Sequence, residues 1–168
     1  MTRAAALGLL LLLAGPSWSG TLAVTPSGFL RVEGDSSLHK WISTATVVRL
    51  TSGGTANQEV RIPVSGLRSG EAGMDKNTRA AMKAAEFPDI VFRMTKYEAG
   101  KLDGELTIAG RTRPVTLDVE LEGRRVRGAY ALKMSDYGIK PPSLMLGAIK
   151  VRDAVTVRFD LQFPGETP

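Results

Sequence analysis

The chain of 168 residues offers few side chains that could perform catalysis. It contains no cysteine and a single histidine, His39, which excludes thiolate nucleophiles, cysteine metal sites and paired-histidine metal sites. Asp35, Ser36 and Ser37 precede His39 closely, but residues this near along a strand-like segment cannot adopt the geometry of a nucleophile triad. We expect His39 either to hydrogen-bond a neighbouring strand or turn, or to contact the polar headgroup of a ligand.

Two carboxylates, Glu120 and Glu122, stand two residues apart on a segment whose alternation places both on the outer face. That position favours a role in solubility over general acid–base catalysis. The sequence also has no nucleophile elbow, phosphate-binding loop or HExxH zinc helix. A protein that is not an enzyme, with no cofactor and no metal, is therefore predicted.

Strands are the main elements that would position the remaining side chains. Between residues 90 and 163, apolar and polar residues alternate with a period of two, which is typical of half-buried antiparallel strands. Five strands are expected there, joined by short turns at Ala99-Gly100, Ala109-Gly110 and Glu122-Gly123 or by a longer loop. Three more are expected at residues 29–34, 39–50 and 57–65. The prediction is an all-β, eight-stranded antiparallel up-and-down sheet that curls into a barrel.

One stretch, residues 74–88, breaks the strand pattern. Its alanines favour a helix, Asp75 is placed to act as the N-cap, and Phe87-Pro88 would end the helix. One short helix in a crossover between strands is predicted, and it would cover one mouth of the barrel.

The first twenty residues have the order of a secretory signal peptide. One arginine is followed by an apolar run at residues 4–14, a break at Gly15-Pro16 and small residues up to Gly20. We expect a cleavable signal at residues 1–20, a single domain at residues 21–168 and a periplasmic location. A retained signal anchor is the alternative.

The formal net charge of +5 is mildly basic. A mildly basic charge is consistent with peripheral contact with an anionic membrane surface. The simpler interpretation is that the arginines near turns are only solvated. No aromatic–basic motif supports binding to nucleic acid. The oligomeric state, including a dimer, is not determined by the sequence.

Four segments together resemble the YceI-like family of bacterial periplasmic, lipocalin-like proteins. They are GDSSLHKW, VSGLRSGEAGMDKNTRAAMKAAEFPDIVFRM, GELTIAGRTRPVTLDVEL and MSDYGIKPPSLMLGAIKVRDAVTVRFDL. The resemblance covers nearly the whole chain after the signal, from about Phe29 to Phe163. The resemblance implies an eight-stranded barrel with a short crossover helix. It also implies an apolar interior that binds a polyisoprenoid chain, such as the tail of an isoprenoid quinone.

The leading hypothesis is a carrier of a long apolar, lipid-like molecule. The alternatives are a filled-core envelope module without a ligand and an outer-membrane barrel. Leu144, Met145 and Leu146 follow Pro141-Pro142 and would lie in a loop at one mouth, as a plug or as an entrance. With them, the residues expected to contact the ligand are His39, Trp41, Met74, Met82, Phe87, Ile90, Phe92, Leu106, Ile108, Leu117, Tyr130 and Leu132.

Overall fold

The computed structural model of the chain describes residues 20–24, 27–52 and 58–163. Residues 1–19 of the expected signal peptide lie outside this part. The strands are β1 (Gly20–Val24), β2 (Phe29–Ser36), β3 (Lys40–Ala45), β4 (Val48–Ser52), β5 (Gln58–Pro63), β6 (Leu67–Arg68), β7 (Asp89–Glu98), β8 (Lys101–Ile108), β9 (Arg111–Glu122), β10 (Arg125–Lys133), β11 (Ser143–Leu144) and β12 (Ile149–Gln162). One α-helix, α1 (Ala72–Ala81), lies in the crossover between β6 and β7.

The strands form one antiparallel sheet with the order β1-β4-β5-β7-β8-β9-β10-β12-β2-β3-β6, and β11 pairs with β12. Successive strands from β7 to β10 are neighbours, so the expected meander is confirmed. The edge strands β1 and β6 each have one partner in the described part of the chain. The sheet is therefore an open, curled half-barrel, and the prediction of a barrel closed by eight strands is wrong.

The strand count differs from eight for two reasons. Residues 39–50 form two strands because the chain turns at Thr46, whose N–H and Oγ1 both donate to the Gly66 carbonyl, at 3.0 and 2.9 Å. In addition, β1 pairs along its whole length with β4, although no strand was expected before residue 29. Ten strands of five or more residues result.

The helix is confirmed, but it begins and ends earlier than expected. Glu71, not Asp75, occupies the N-cap position. Asp75 lies in the first turn, where its carboxylate accepts hydrogen bonds from the Ser69 hydroxyl and N–H at 2.7 and 2.8 Å. These bonds favour the ionised form and hold the pKa of Asp75 below its ordinary value.

The helix ends at Ala81 because Lys83, two residues on, has a φ of 51°, which the right-handed helix does not allow. The predicted end at Phe87-Pro88 is therefore too late. Within the described residues, no helix has both the length and the apolar character needed to cross a membrane.

The most deeply buried side chains lie where β5 leads into the crossover. Val48 and Val64 are each 1% exposed, and the Val64 N–H donates to the Pro88 carbonyl at the start of β7. Tyr137 packs into the same apolar cluster. Burial there raises the pKa of Tyr137 to about 12, because the phenolate would lose hydration.

Candidate ligand-binding cavity

The concave face of the sheet and helix α1 enclose a cavity of about 700 Å³. The interior of this structure therefore contains open space. Strand alternation alone does not distinguish an open interior from one filled by side chains. Most of the residues expected to face the interior do line this cavity: His39, Trp41, Met74, Met82, Ile90, Phe92, Leu106, Ile108, Leu117, Tyr130 and Leu132. Their contact with a ligand stays a prediction.

Two expected lining residues lie elsewhere. Phe87 follows the helix, and its ring covers Gly110 in the β8–β9 turn, so it packs outside the cavity. Leu146 is fully exposed, with a φ of 56°, and it neither plugs nor lines the cavity. The side chains of Leu144 and Met145 lie outside the described part of the structure.

Sequence reasoning also omitted many residues that face the cavity. They share the inward register of the expected set, so the same alternation could have identified them. They include Leu30, Val32, Leu50, Val60, Met94, Tyr97, Leu102, Val119, Leu121, Val126, Val155, Val157, Phe159 and Leu161.

Glycines on the inner face keep aromatic rings flat against the wall. Gly34 pairs directly with Trp41 across β2 and β3, and a Cβ on Gly34 would lie only 2.1 Å from Cζ2 of the indole. The ring therefore occupies the space above the glycine instead of projecting into the cavity. Gly128 pairs directly with Phe159 in the same way, and the ring of Phe92, which is diagonal to Gly104, covers that glycine.

Polar atoms are few in the lining, and two of them are buried without a partner among the described residues: Gln58 Oε1 and Trp41 Nε1. Gln58 is only 4% exposed. An amide oxygen or an indole N–H that gives up water without a new hydrogen bond costs free energy. Both atoms are shielded even from the cavity, so they represent an unmet desolvation cost within the wall and not a contact for a bound molecule.

The turn that carries Leu38 and His39 is structured, and both residues are exposed while they also line the cavity, so the cavity mouth lies here. The Ser36 hydroxyl donates to the His39 carbonyl at 2.8 Å and accepts from the His39 N–H at 3.1 Å, while His39 Nδ1 lies 2.8 Å from the Lys40 carbonyl. Ser36 is thus engaged in holding the turn. Among the described residues, no group of three histidine, aspartate or glutamate side chains could hold a metal ion.

The family model of the YceI-like domain matches residues 21–163. The chain belongs to the YceI-like family. This confirms the resemblance found in the sequence. Comparison with curated proteins gives no significant match.

Solved structures share the YceI-like fold at low sequence identity. A polyisoprenoid-binding domain from Saccharophagus degradans, implicated in plant cell wall breakdown, has a TM-score of 0.65 at 14% identity and covers 86% of this chain and 98% of its own. BcnA from Burkholderia cenocepacia has a TM-score of 0.63 at 15% identity and covers 82% and 96%. At these identities the likeness shows the fold alone.

Proposed function

We propose that this YceI-like protein binds a polyisoprenoid or similar long apolar molecule, such as an isoprenoid quinone, inside the cavity. It acts as a carrier, without catalysis, in the periplasm after removal of residues 1–20. The observation that carries the proposal is the cavity of about 700 Å³ with a mainly apolar lining. It is supported by the fold shared with the S. degradans domain, which is described as binding polyisoprenoid.

The volume suits a molecule of this kind. Pockets for small molecules commonly measure about 300–1,000 Å³, so a cavity of about 700 Å³ can take a chain of several isoprene units. Each buried five-carbon unit contributes up to about 4 kcal/mol, at about 0.8 kcal/mol per carbon. Association and chain ordering cost about 4–15 kcal/mol, so a few fully buried units give useful affinity.

The charge of the lining favours a ligand whose polar group is neutral. Glu71 is the one residue with a full formal charge among the described lining residues, and it would repel a phosphate. A quinone, quinol or isoprenoid alcohol therefore fits better than an isoprenoid diphosphate.

Trp41 provides a direct assay. It is one of two tryptophans, and the other, Trp18, lies in the expected signal peptide. Because the Trp41 indole lines the cavity, titration with a short-chain isoprenoid quinone should quench its fluorescence with saturation at one equivalent.

Two double variants test whether the quinone binds in the cavity or on the surface of the protein. Leu117→Phe with Leu132→Phe fills the lining and should weaken quinone binding at least tenfold. Asp118→Phe with Ala131→Phe adds the same rings to exposed positions of the same two strands and should leave binding unchanged. Absence of saturable quenching, or equal loss in both variants, would contradict the proposal.

A further inference from the structure

One exposed leucine lies at the mouth of the cavity, and a second lies on a neighbouring segment. Leu38 is 67% exposed although it also contributes to the cavity lining, and Leu146 is fully exposed. The two segments that carry them are held together, because the Ser37 N–H donates to the Lys150 carbonyl at 2.9 Å and the Lys150 N–H donates to Ser37 Oγ at 3.1 Å. The turn that carries Leu38 and the segment that carries Leu146 therefore lie side by side.

Three exposed lysines lie in the same segments. Lys40 follows the β2–β3 turn, Lys140 precedes the prolines of the loop, and Lys150 is the second residue of β12. None of the three forms an ion pair with a described residue, whereas Arg152 at the same end is paired with Asp35 at 3.4 Å. We call the surface formed by Leu38, Leu146 and the three lysines the mouth rim.

Several cations on the outer wall of the sheet are instead neutralised by carboxylates on neighbouring strands. Arg125 pairs with Asp160 at 2.6 Å, and Arg158 with Glu33 at 3.0 Å. Arg127 pairs with Glu120 at 2.7 Å. The mouth rim thus combines exposed apolar side chains with positive charge that has no acidic partner in the described chain.

We propose that the mouth rim docks onto an anionic lipid bilayer. Leucine side chains gain free energy by leaving water for the acyl region, and lysines near the surface of an anionic bilayer are attracted to its headgroups. Docking in this orientation places the cavity mouth against the membrane, so a lipid-like molecule enters or leaves without crossing water. The proposal does not depend on which molecule the cavity holds.

A second copy of the chain is a poorer occupant of this surface. A two-fold interface brings the same patch of both copies together, and the lysines of one mouth rim would then face those of the other. Like charges placed opposite one another across an interface are unfavourable. Charge complementarity therefore favours the anionic bilayer.

The test is co-sedimentation of the full protein, without added ligand, with vesicles that contain no isoprenoid. The two compositions are phosphatidylcholine alone and phosphatidylcholine with a third of phosphatidylglycerol. Binding should require phosphatidylglycerol and weaken as salt shortens the Debye length to below about 10 Å. Every variant carries the same N-terminal segment, so any contribution of that segment is constant.

Matched variants locate the contact. Leu38→Ser with Leu146→Ser should lower the partition coefficient about tenfold or more, since burying a leucine is worth at least about a factor of ten. Phe29→Ser removes an exposed apolar side chain from the opposite end of β2 and should have no effect. Lys40→Gln with Lys150→Gln should reduce binding, and Lys96→Gln with Lys101→Gln, which are ion-paired, should not.

Three results would overturn the proposal. The first is no binding to vesicles that contain phosphatidylglycerol, and the second is equal losses in the rim and control variants. The third is a concentration-dependent dimer in sedimentation velocity that disappears in Leu38→Ser with Leu146→Ser, which would assign the mouth rim to self-association. Retention of quinone binding by Lys40→Gln with Lys150→Gln, which are not lining residues, would separate docking from the function of the cavity.

Discussion

Replacing Gly34 with alanine tests whether the cavity wall depends on the packing of the Trp41 ring over this glycine. The new Cβ would lie 2.1 Å from Cζ2 and 2.3 Å from Cε2 of Trp41, and ordinary contact begins at 3.4 Å. The indole must therefore move by about 1.3 Å, the difference between 3.4 and 2.1 Å, and the open side is the cavity. Overpacking of this kind costs about 1–3 kcal/mol.

The expected consequence is a melting temperature lower by roughly 4–12 °C, since 1 kcal/mol corresponds to about 4 °C in a domain of this size. Differential scanning calorimetry measures it. Gly73→Ala is the control, because Gly73 lies in α1 with no neighbour within 4 Å of the added Cβ, and this change should raise stability by about 0.4–1 kcal/mol.

A double variant identifies the indole as the cause. In Gly34→Ala with Trp41→Leu the colliding ring is absent, so the loss of stability should be smaller than the sum of the two single losses. The reasoning is refuted if Gly34→Ala melts like the unmodified protein, or if the two losses simply add.

Three more predictions concern polar groups. Gln58→Leu should raise the stability of the protein, because it removes a buried oxygen without a partner, as thermal melting can show. The Ser69 bonds that lower the pKa of Asp75 stabilise the fold above about pH 4 and are lost as pH falls further; the melting temperatures of the unmodified protein and Asp75→Asn should therefore converge below about pH 4. Burial raises the pKa of Tyr137 to about 12, so its contribution is complete below about pH 10 and declines as pH rises towards 12; urea unfolding should show a steeper alkaline loss than in Tyr137→Phe.

The strands from β7 onward could be predicted from the sequence because one face is buried and the other is wet, which imposes a period of two. The break inside residues 39–50 could not, since neither glycine nor proline marks Thr46 and the bond to Gly66 is made 20 residues away. Asp75 carries the residue type of an N-cap, but its hydrogen bonds to Ser69 place it inside the helix instead. In both places a contact outside the local pattern decides the structure.

The sequence predicts which face of the sheet lines the candidate site, but it does not predict that this face encloses a cavity. Alternation identifies Leu117 and Leu132 as inward residues, yet it does not say whether opposite walls touch. The open space in the cavity depends on cross-strand pairs such as Gly34 with Trp41, where the glycine has no side chain and the ring lies over it. An inward glycine within a strand was the available signal. Leu146 could not be placed from the sequence, because it lies in a loop, where no alternation indicates whether an apolar side chain faces the interior or solvent.

The most direct test of the proposed function is native mass spectrometry of the protein purified from its own host, followed by lipid extraction and identification of whatever is released. We expect one equivalent of a neutral isoprenoid bound in the cavity of about 700 Å³, and its absence from Leu117→Phe with Leu132→Phe. A single ligand-free mass, with no uptake of quinone from micelles, would contradict the proposal.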